Sequence, residues 1–410
     1  MNLSYFKTSK TIRQVAILFA SNILLIGIGF GIKKIQTQQL GEVNYGEYAF
    51  FISLVTFLSL FFRFGFFVSL QNLLAQNHNQ IRQKKLLAIG FTMALINGIA
   101  LSVIVWLLSH FVNDIFKTNI GATMQLLAPL TVIFPFYYLF NSYGTGTNKL
   151  KINAYYNVLP KMLFLILLLF YLNKLNIINI IFFNLISTLT IIIYFFLKIK
   201  PNFSNFKKYW NILWLKNKKF GFHYYQGAIA NQTTYKLDEL FISYFKNTTL
   251  LGFYSLALLV ASPMILMSQA ISQSMFKKYS KLKKIPKKIF LYNTLWLLLC
   301  IVFFYFFADL IVDFLFGESF KSVGKYILYI SFALFFQGLT SPYSFLAAKS
   351  KGKEIRNVAW AEAFVNITGN IILIPILGVE GAIITSILSK FTNYIFFKYY
   401  YKQYLKELYG

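Results

Sequence analysis

Acidic residues are scarce in this chain. Its 410 residues include 12 Asp and Glu against 40 Lys and Arg, a formal charge of +28. Cysteine is nearly absent as well. Cys300 stands alone in the apolar run 295–307, which excludes a disulfide framework and reads as a small apolar packing residue. The three histidines, His78, His110 and His223, are scattered without metal-ligand spacing, so no metal site is expected. No Gly-rich phosphate loop occurs, so no ATPase is built in. The reading is of a protein that is not an enzyme and needs no cofactor. Charged residues as a whole make up 13%, about half the share of an ordinary soluble domain.

What fills the chain instead is apolar. Hydrophobic residues make up 57% and aromatic residues 20%, and the mean hydropathy is +0.59. Apolar runs of roughly 18 residues or more recur along the whole length, the pattern of membrane-spanning helices. The expected fold is an all-α polytopic membrane protein of about twelve helices. They are predicted near 14–32, 46–70, 86–110, 121–141, 153–172, 177–197, 221–245, 250–276, 289–311, 325–346, 357–377 and 380–400. Lys7, Lys10 and Arg13 precede the first run, which is read as a helix and not a cleaved signal because eleven more follow.

The basic residues sit in short clusters between the runs and form no continuous stripe, which argues against a nucleic-acid partner. They fit the positive-inside rule instead. With the N-terminus in the cytoplasm, inside segments carry 29 basic residues and outside loops 7, Lys398 being counted with the C-terminal tail. Acidic residues reverse the bias. Glu42, Glu47, Asp114, Asp309, Asp313, Glu318 and Glu380 fall outside, and only Glu354 and Glu407 inside. Both termini are therefore expected in the cytoplasm, with the cationic clusters facing anionic headgroups of the bilayer.

Two local matches share an offset of 206 residues. "YGEY" at 45–48 recurs as "LGFY" at 251–254, and "GTNKLKI" at 146–152 is echoed by "GKEIRNV" at 352–358. Six helices separate the copies, which predicts two six-helix lobes in parallel orientation, a common transporter plan. The expected division is 1–198, a basic cytoplasmic linker 199–220, and 221–410.

Four stretches carry a family resemblance. They are "LGEVNYGEYAFFISLVTFLSLFFRFG" (40–65), "DELFISYFKNTTLLGFYSLALLVASP" (238–263), "FGESFKSVGKYILYIS" (316–331) and "AAKSKGKEIRNVAWAEAFVNITGNIILIPILGVEGAIITSILS" (347–389). In order and spacing they resemble the polysaccharide-transport branch of the multidrug/oligosaccharidyl-lipid/polysaccharide (MOP) exporters, and within it the Wzx-type O-antigen or capsule repeat-unit flippases. The resemblance covers nearly the whole chain. It implies a MATE-like fold, two lobes around a central cavity. It also implies movement of an undecaprenyl-pyrophosphate-linked oligosaccharide from the inner to the outer leaflet of the bacterial inner membrane. Ion-gradient coupling and work beside a polymerase and chain-length regulator go with it. A small-molecule exporter of the same fold is the alternative. A polysaccharide polymerase or ligase is disfavoured, since no external loop exceeds about twenty residues.

Away from their ends, the predicted helices carry seven charges: Arg63, Lys161, Lys236, Asp238, Glu239, Glu362 and Lys390. Each costs roughly 2.5–3.5 kcal/mol at mid-bilayer, so lipid exposure is disfavoured. Lys236 and Glu239 are three apart and share a helix face, where they can pair. Asp238 points about 200° from Lys236. Arg63 offers a planar fork for phosphate oxygens, or snorkels to the cytoplasmic interface. Lys161, after Pro160, reads similarly, and Lys390 could neutralise Glu362. Arg63, Lys161, Lys236 and Lys390 are the candidate substrate contacts. Asp238, Glu239 and Glu362 are the candidates for ion coupling or charge pairing. Tyr225, Tyr235, Tyr244 and Gln226 could reach sugar hydroxyls. Prolines 129, 135, 160, 263, 342 and 375 fall within predicted helices and mark kinks, static or flexing.

Overall fold

A backbone surrounded by lipid must satisfy its polar groups internally, and a chain this apolar does so by becoming helix. The computed structural model describes residues 10–77, 79–147, 149–279, 282–349 and 351–409, without the side chains of 10–22, 150, 223, 226–228, 230–235, 273–274, 276–278 and 409. Lys7, Lys10, Arg13, His78, His223, Gln226 and Tyr235, read above, lie outside the described residues or side chains.

The helices are α1 (Lys10–Phe61), α2 (Phe66–Gln76), α3 (Gln80–Leu108), α4 (Val112–Phe116), α5 (Gly121–Leu127), α6 (Phe134–Gly146), α7 (Leu150–Phe170), α8 (Ile177–Ile199) and α9 (Phe206–Lys216). They continue as α10 (Phe222–Phe245), α11 (Thr248–Ala261), α12 (Leu266–Tyr279), α13 (Lys287–Phe316), α14 (Ser322–Thr340), α15 (Ser344–Ala348), α16 (Gly352–Leu377) and α17 (Val379–Tyr409). The fold is all-α and polytopic.

Nine helices among the described residues are long and apolar enough to cross a membrane. The difference from twelve has a local cause. α1 runs through two expected spans, divided only by a kink at Gly41, whose φ of 67° is left-handed. α17 falls below the apolarity limit because it carries Glu380, Lys390 and Lys398, and the side chains of α10 are described continuously only over 236–245, too short a stretch to be counted. The prolines sort by position. Pro129, Pro263 and Pro342 open 3-10 turns between helical pieces, Pro135 sits in the first turn of α6, and Pro160 and Pro375 lie inside α7 and α16. A first-turn proline loses no helical hydrogen bond, whereas an interior one does.

The chain forms two compact units, residues 1–41 with 51–229, and residues 42–50 with 230–410. The first contains the basic segment 199–220. The second takes in 42–50, and there the repeat-related glycines meet: a Cβ on Gly252 would lie 3.0 Å from Gly46 Cα. Small residues let two backbones approach this closely in lipid. The second unit also holds an aromatic cluster around Tyr279, Tyr343, Phe345 and Tyr401, where the Tyr401 hydroxyl accepts from the Ile285 amide at 2.8 Å. The outer face of α13 exposes Tyr305, Phe306, Leu310 and Phe314, side chains suited to lipid contact.

Candidate functional site

In the first unit, α1, α6, α7 and α8 enclose a cavity of about 470 Å³. Its wall mixes aromatic faces with neutral polar groups, among them Tyr137, Tyr138, Tyr156, Asn157, Asn184 and Thr188. Lys161 enters from α7, and its ammonium donates to Asn184 Oδ1 at 3.3 Å. Among the described residues no carboxylate pairs with it. Arg63 lies in the break between α1 and α2. Its guanidinium stacks over the ring of Tyr138, 3.8 Å from the centroid, a cation–π contact that holds the plane against the cavity wall. Ser59 and the Tyr138 hydroxyl lie 3.4 Å apart beside it.

In the second unit, Asp238 is buried on α10 and held by neutral groups. Asn370 Nδ2 donates to Oδ1 at 2.6 Å, and Ser386 Oγ and the Tyr254 hydroxyl donate to Oδ2 at 3.0 and 3.2 Å. The same Asn370 amide reaches Asn366 Oδ1 at 3.1 Å. Asn370 Oδ1 is buried with no hydrogen-bond partner among the described residues. A cavity of about 100 Å³ touches Asp238, Tyr254, Asn366 and Ser386, and also Glu362 and Lys390. Lys390 Nζ lies 2.5 Å from Glu362 Oε1, and the Asn393 amide donates to the other carboxylate oxygen. A second cavity of about 240 Å³ lies on the far side of this pair, towards Thr340 and Ile355. Lys236 meets both oxygens of Glu239, at 2.8 and 2.9 Å.

The structure thus groups the seven intramembrane charges in two ways. Lys161 lines the first unit's cavity, and Arg63 stacks on Tyr138 in its wall. Asp238, Glu362 and Lys390 share the second unit's, while Lys236 and Glu239 pair beside Asp238 on α10. Of the tyrosines read as sugar contacts, Tyr225 donates to the Phe61 carbonyl at 2.8 Å and Tyr244 is exposed. Residues without charge went unread: Asn184, Asn366, Asn370, Ser386, Tyr138 and Tyr254. One signal for them exists, since Glu362, Asn366 and Asn370 are spaced by four and fall on one stripe of α16.

A profile of the polysaccharide biosynthesis protein family matches residues 11–270. The chain belongs to that family. A search of curated protein sequences found no match. Among solved structures, this polysaccharide biosynthesis family member is similar to the lipid II flippase MurJ in an inward closed conformation. The TM-score is 0.72 at 16% identity, over 94% of this chain and 87% of that one. It is similar to a multidrug resistance MATE transporter of the MOP superfamily in an inward-facing conformation. Here the TM-score is 0.69 at 13% identity, over 94% of each chain. A third is a MOP superfamily transporter from Pyrococcus furiosus, described as having a binding pocket of reverse polarity. The TM-score is 0.63 at 13% identity, over 98% and 100%. At these identities the likeness establishes the MATE-like fold.

Proposed function

We propose that the protein is a flippase. It moves undecaprenyl-pyrophosphate-linked oligosaccharide repeat units from the cytoplasmic to the outer leaflet of the bacterial inner membrane, by alternating access, for O-antigen or capsule synthesis. The observation that carries this reading is the first unit's cavity. Aromatic faces, amides and hydroxyls suit a saccharide, and Lys161 and Arg63 supply cations for the pyrophosphate. Membership of a polysaccharide biosynthesis family supports it. Lys236 and Lys390, matched by Glu239 and Glu362, then serve chiefly to keep charge neutral within the second unit.

Asp238 is the proposed coupling residue. One carboxylate amid neutral oxygens, with no donor to Asn370 Oδ1 among the described residues, suits one positive charge, a monovalent cation or a proton. Both termini are proposed to be cytoplasmic, and a polymerase and chain-length regulator are the expected partners downstream.

The test is a deletion followed by lipid extraction. Full-length lipid-linked units accumulating on the cytoplasmic face, with surface glycan lost, are expected. The competing reading, a small-molecule exporter, draws on the likeness to the multidrug transporter. Normal glycan export with altered drug tolerance would establish that reading and overturn ours.

A further inference from the structure

Arg63 owes its place to an interrupted helix. α1 stops at Phe61 and α2 starts at Phe66, and in between Phe64 and Gly65 take φ of 44° and 79°. Glycine adopts that region freely, but a phenylalanine there must be held by its surroundings. The interruption also deprives carbonyl groups of their partners four residues on.

The groups that satisfy them come from the turn that joins α9 to α10 and from the first turn of α10. The Tyr225 hydroxyl donates to the Phe61 carbonyl at 2.8 Å. The Asn217 amide donates to the Phe64 carbonyl at 3.0 Å, and its oxygen accepts from Ser69 Oγ, in the first turn of α2, at 3.2 Å. One buried side chain thus ties the break to the helix that follows it. A π turn, Asn217–Gly221, presents that side chain, and such wide turns recur at functional positions. Beyond it the two backbones touch. A Cβ on Gly65 would sit 2.2 Å from the Gly221 carbonyl oxygen, and one on Gly221 would sit 2.5 Å from that of Gly65. Trp214 lies against Phe66, and Tyr225 against Phe64, at ring separations of 5.7 and 6.2 Å. A passive tether between two halves would need none of these contacts.

We infer that Asn217 and Tyr225 are positioning residues for Arg63: the segment 217–225 clamps the break at 61–65 and so sets the guanidinium on Tyr138 at the cavity wall. The inference rests on the reading of Arg63 as a contact for the lipid-linked phosphates. Neither residue touches substrate in this account, and each acts through the backbone carbonyls that fix where residue 63 sits.

The test uses the full chain in membrane vesicles with Cys300→Ser, and reads the rate at which a thiol reagent modifies Arg63→Cys. Adding Asn217→Ala, which removes two hydrogen bonds, should speed labelling by about tenfold, and Tyr225→Phe, which removes one, by about threefold. Thr188→Cys, in the cavity wall, should label at an unchanged rate in both. Unchanged labelling at 63, or an equal rise at 188, would overturn the clamp. Tyr225→Phe keeps the ring, so it decides the matter even where Asn217→Ala fails to reach the membrane. The second arm measures transport of the lipid-linked saccharide in cells lacking a flippase. If Asn217 acts through Arg63, Asn217→Ala costs little once Arg63→Ala is present, whereas additive losses would overturn the positioning role. Normal transport by Arg63→Ala would remove the reading of Arg63 on which the inference rests, whatever the labelling shows.

Discussion

The two units carry cavities of opposite character. In the first, an ammonium stands among amides, hydroxyls and aromatic rings with no carboxylate paired to it among the described residues. In the second, Lys390 is met by Glu362 and Lys236 by Glu239, and the carboxylate left over is Asp238, held by neutral donors. Both cavities are built from helices that the repeat relates, so the backbone plan does not dictate the charge. The polar decoration does. A single charge surrounded by neutral partners is available to a ligand of opposite sign, whereas a desolvated ion pair has spent most of its field on its partner. On that argument the first unit suits an anionic ligand and the second a cation.

The largest expected effect breaks the matched pair. Glu362→Leu strands the Lys390 ammonium in a buried site and should lower stability by roughly 3–5 kcal/mol. Glu362→Leu combined with Lys390→Leu should recover most of that loss, because two apolar side chains replace the pair. Thermal unfolding in detergent measures both. A single variant as stable as the parent would show that the pair is solvated, and the contrast between the cavities would weaken.

Next comes the unmatched carboxylate. Asp238→Asn keeps the shape and the hydrogen-bonding size but removes the charge. Transport into vesicles should lose its dependence on an imposed ion gradient and fall about tenfold or more, the equivalent of roughly 1.4 kcal/mol of driving interaction. Unchanged coupling would move the role to Glu239 or Glu362. Lys161→Gln is milder, since Asn184 and the aromatic wall remain. Losing one hydrogen bond from a charged donor, about 1.5–3 kcal/mol before water replaces part of it, should slow transport by about three- to tenfold. Export equal to wild type would leave Arg63 as the cation that matters.

Much of this was readable in advance, and the rest was hidden for physical reasons. Apolar run length made the all-α polytopic fold legible, because lipid penalises any other arrangement. The spacing of Lys236 and Glu239 made their pairing legible, since three residues along a helix bring two side chains together. Asn366, Asn370 and Ser386 were passed over because a neutral polar residue hardly lowers the hydropathy of its helix. Only the stripe formed with Glu362 singles out the asparagines, and their convergence on Asp238 depends on how α10, α16 and α17 pack. The break at 61–65 left a weaker trace, Gly65 after a run of large residues. Its partner Asn217 lies 148 residues from Ser69, beyond any local pattern.

The smallest expected effect sharpens what the Asp238 group holds. Ser386 contributes one hydroxyl to Asp238 Oδ2 at 3.0 Å and lines the same cavity. Ser386→Ala removes that oxygen and leaves every charge in place. If a metal cation such as sodium is bound there, it loses one oxygen ligand of several, and the half-saturating concentration should rise about threefold with the maximal rate unchanged. The measurement is transport against sodium concentration at fixed pH. Transport driven by a pH gradient alone and indifferent to sodium in both proteins would make Asp238 a proton carrier. The neutral oxygens around it would then serve to position the carboxyl group, and Ser386 would matter through its hydrogen bond and not through its lone pairs.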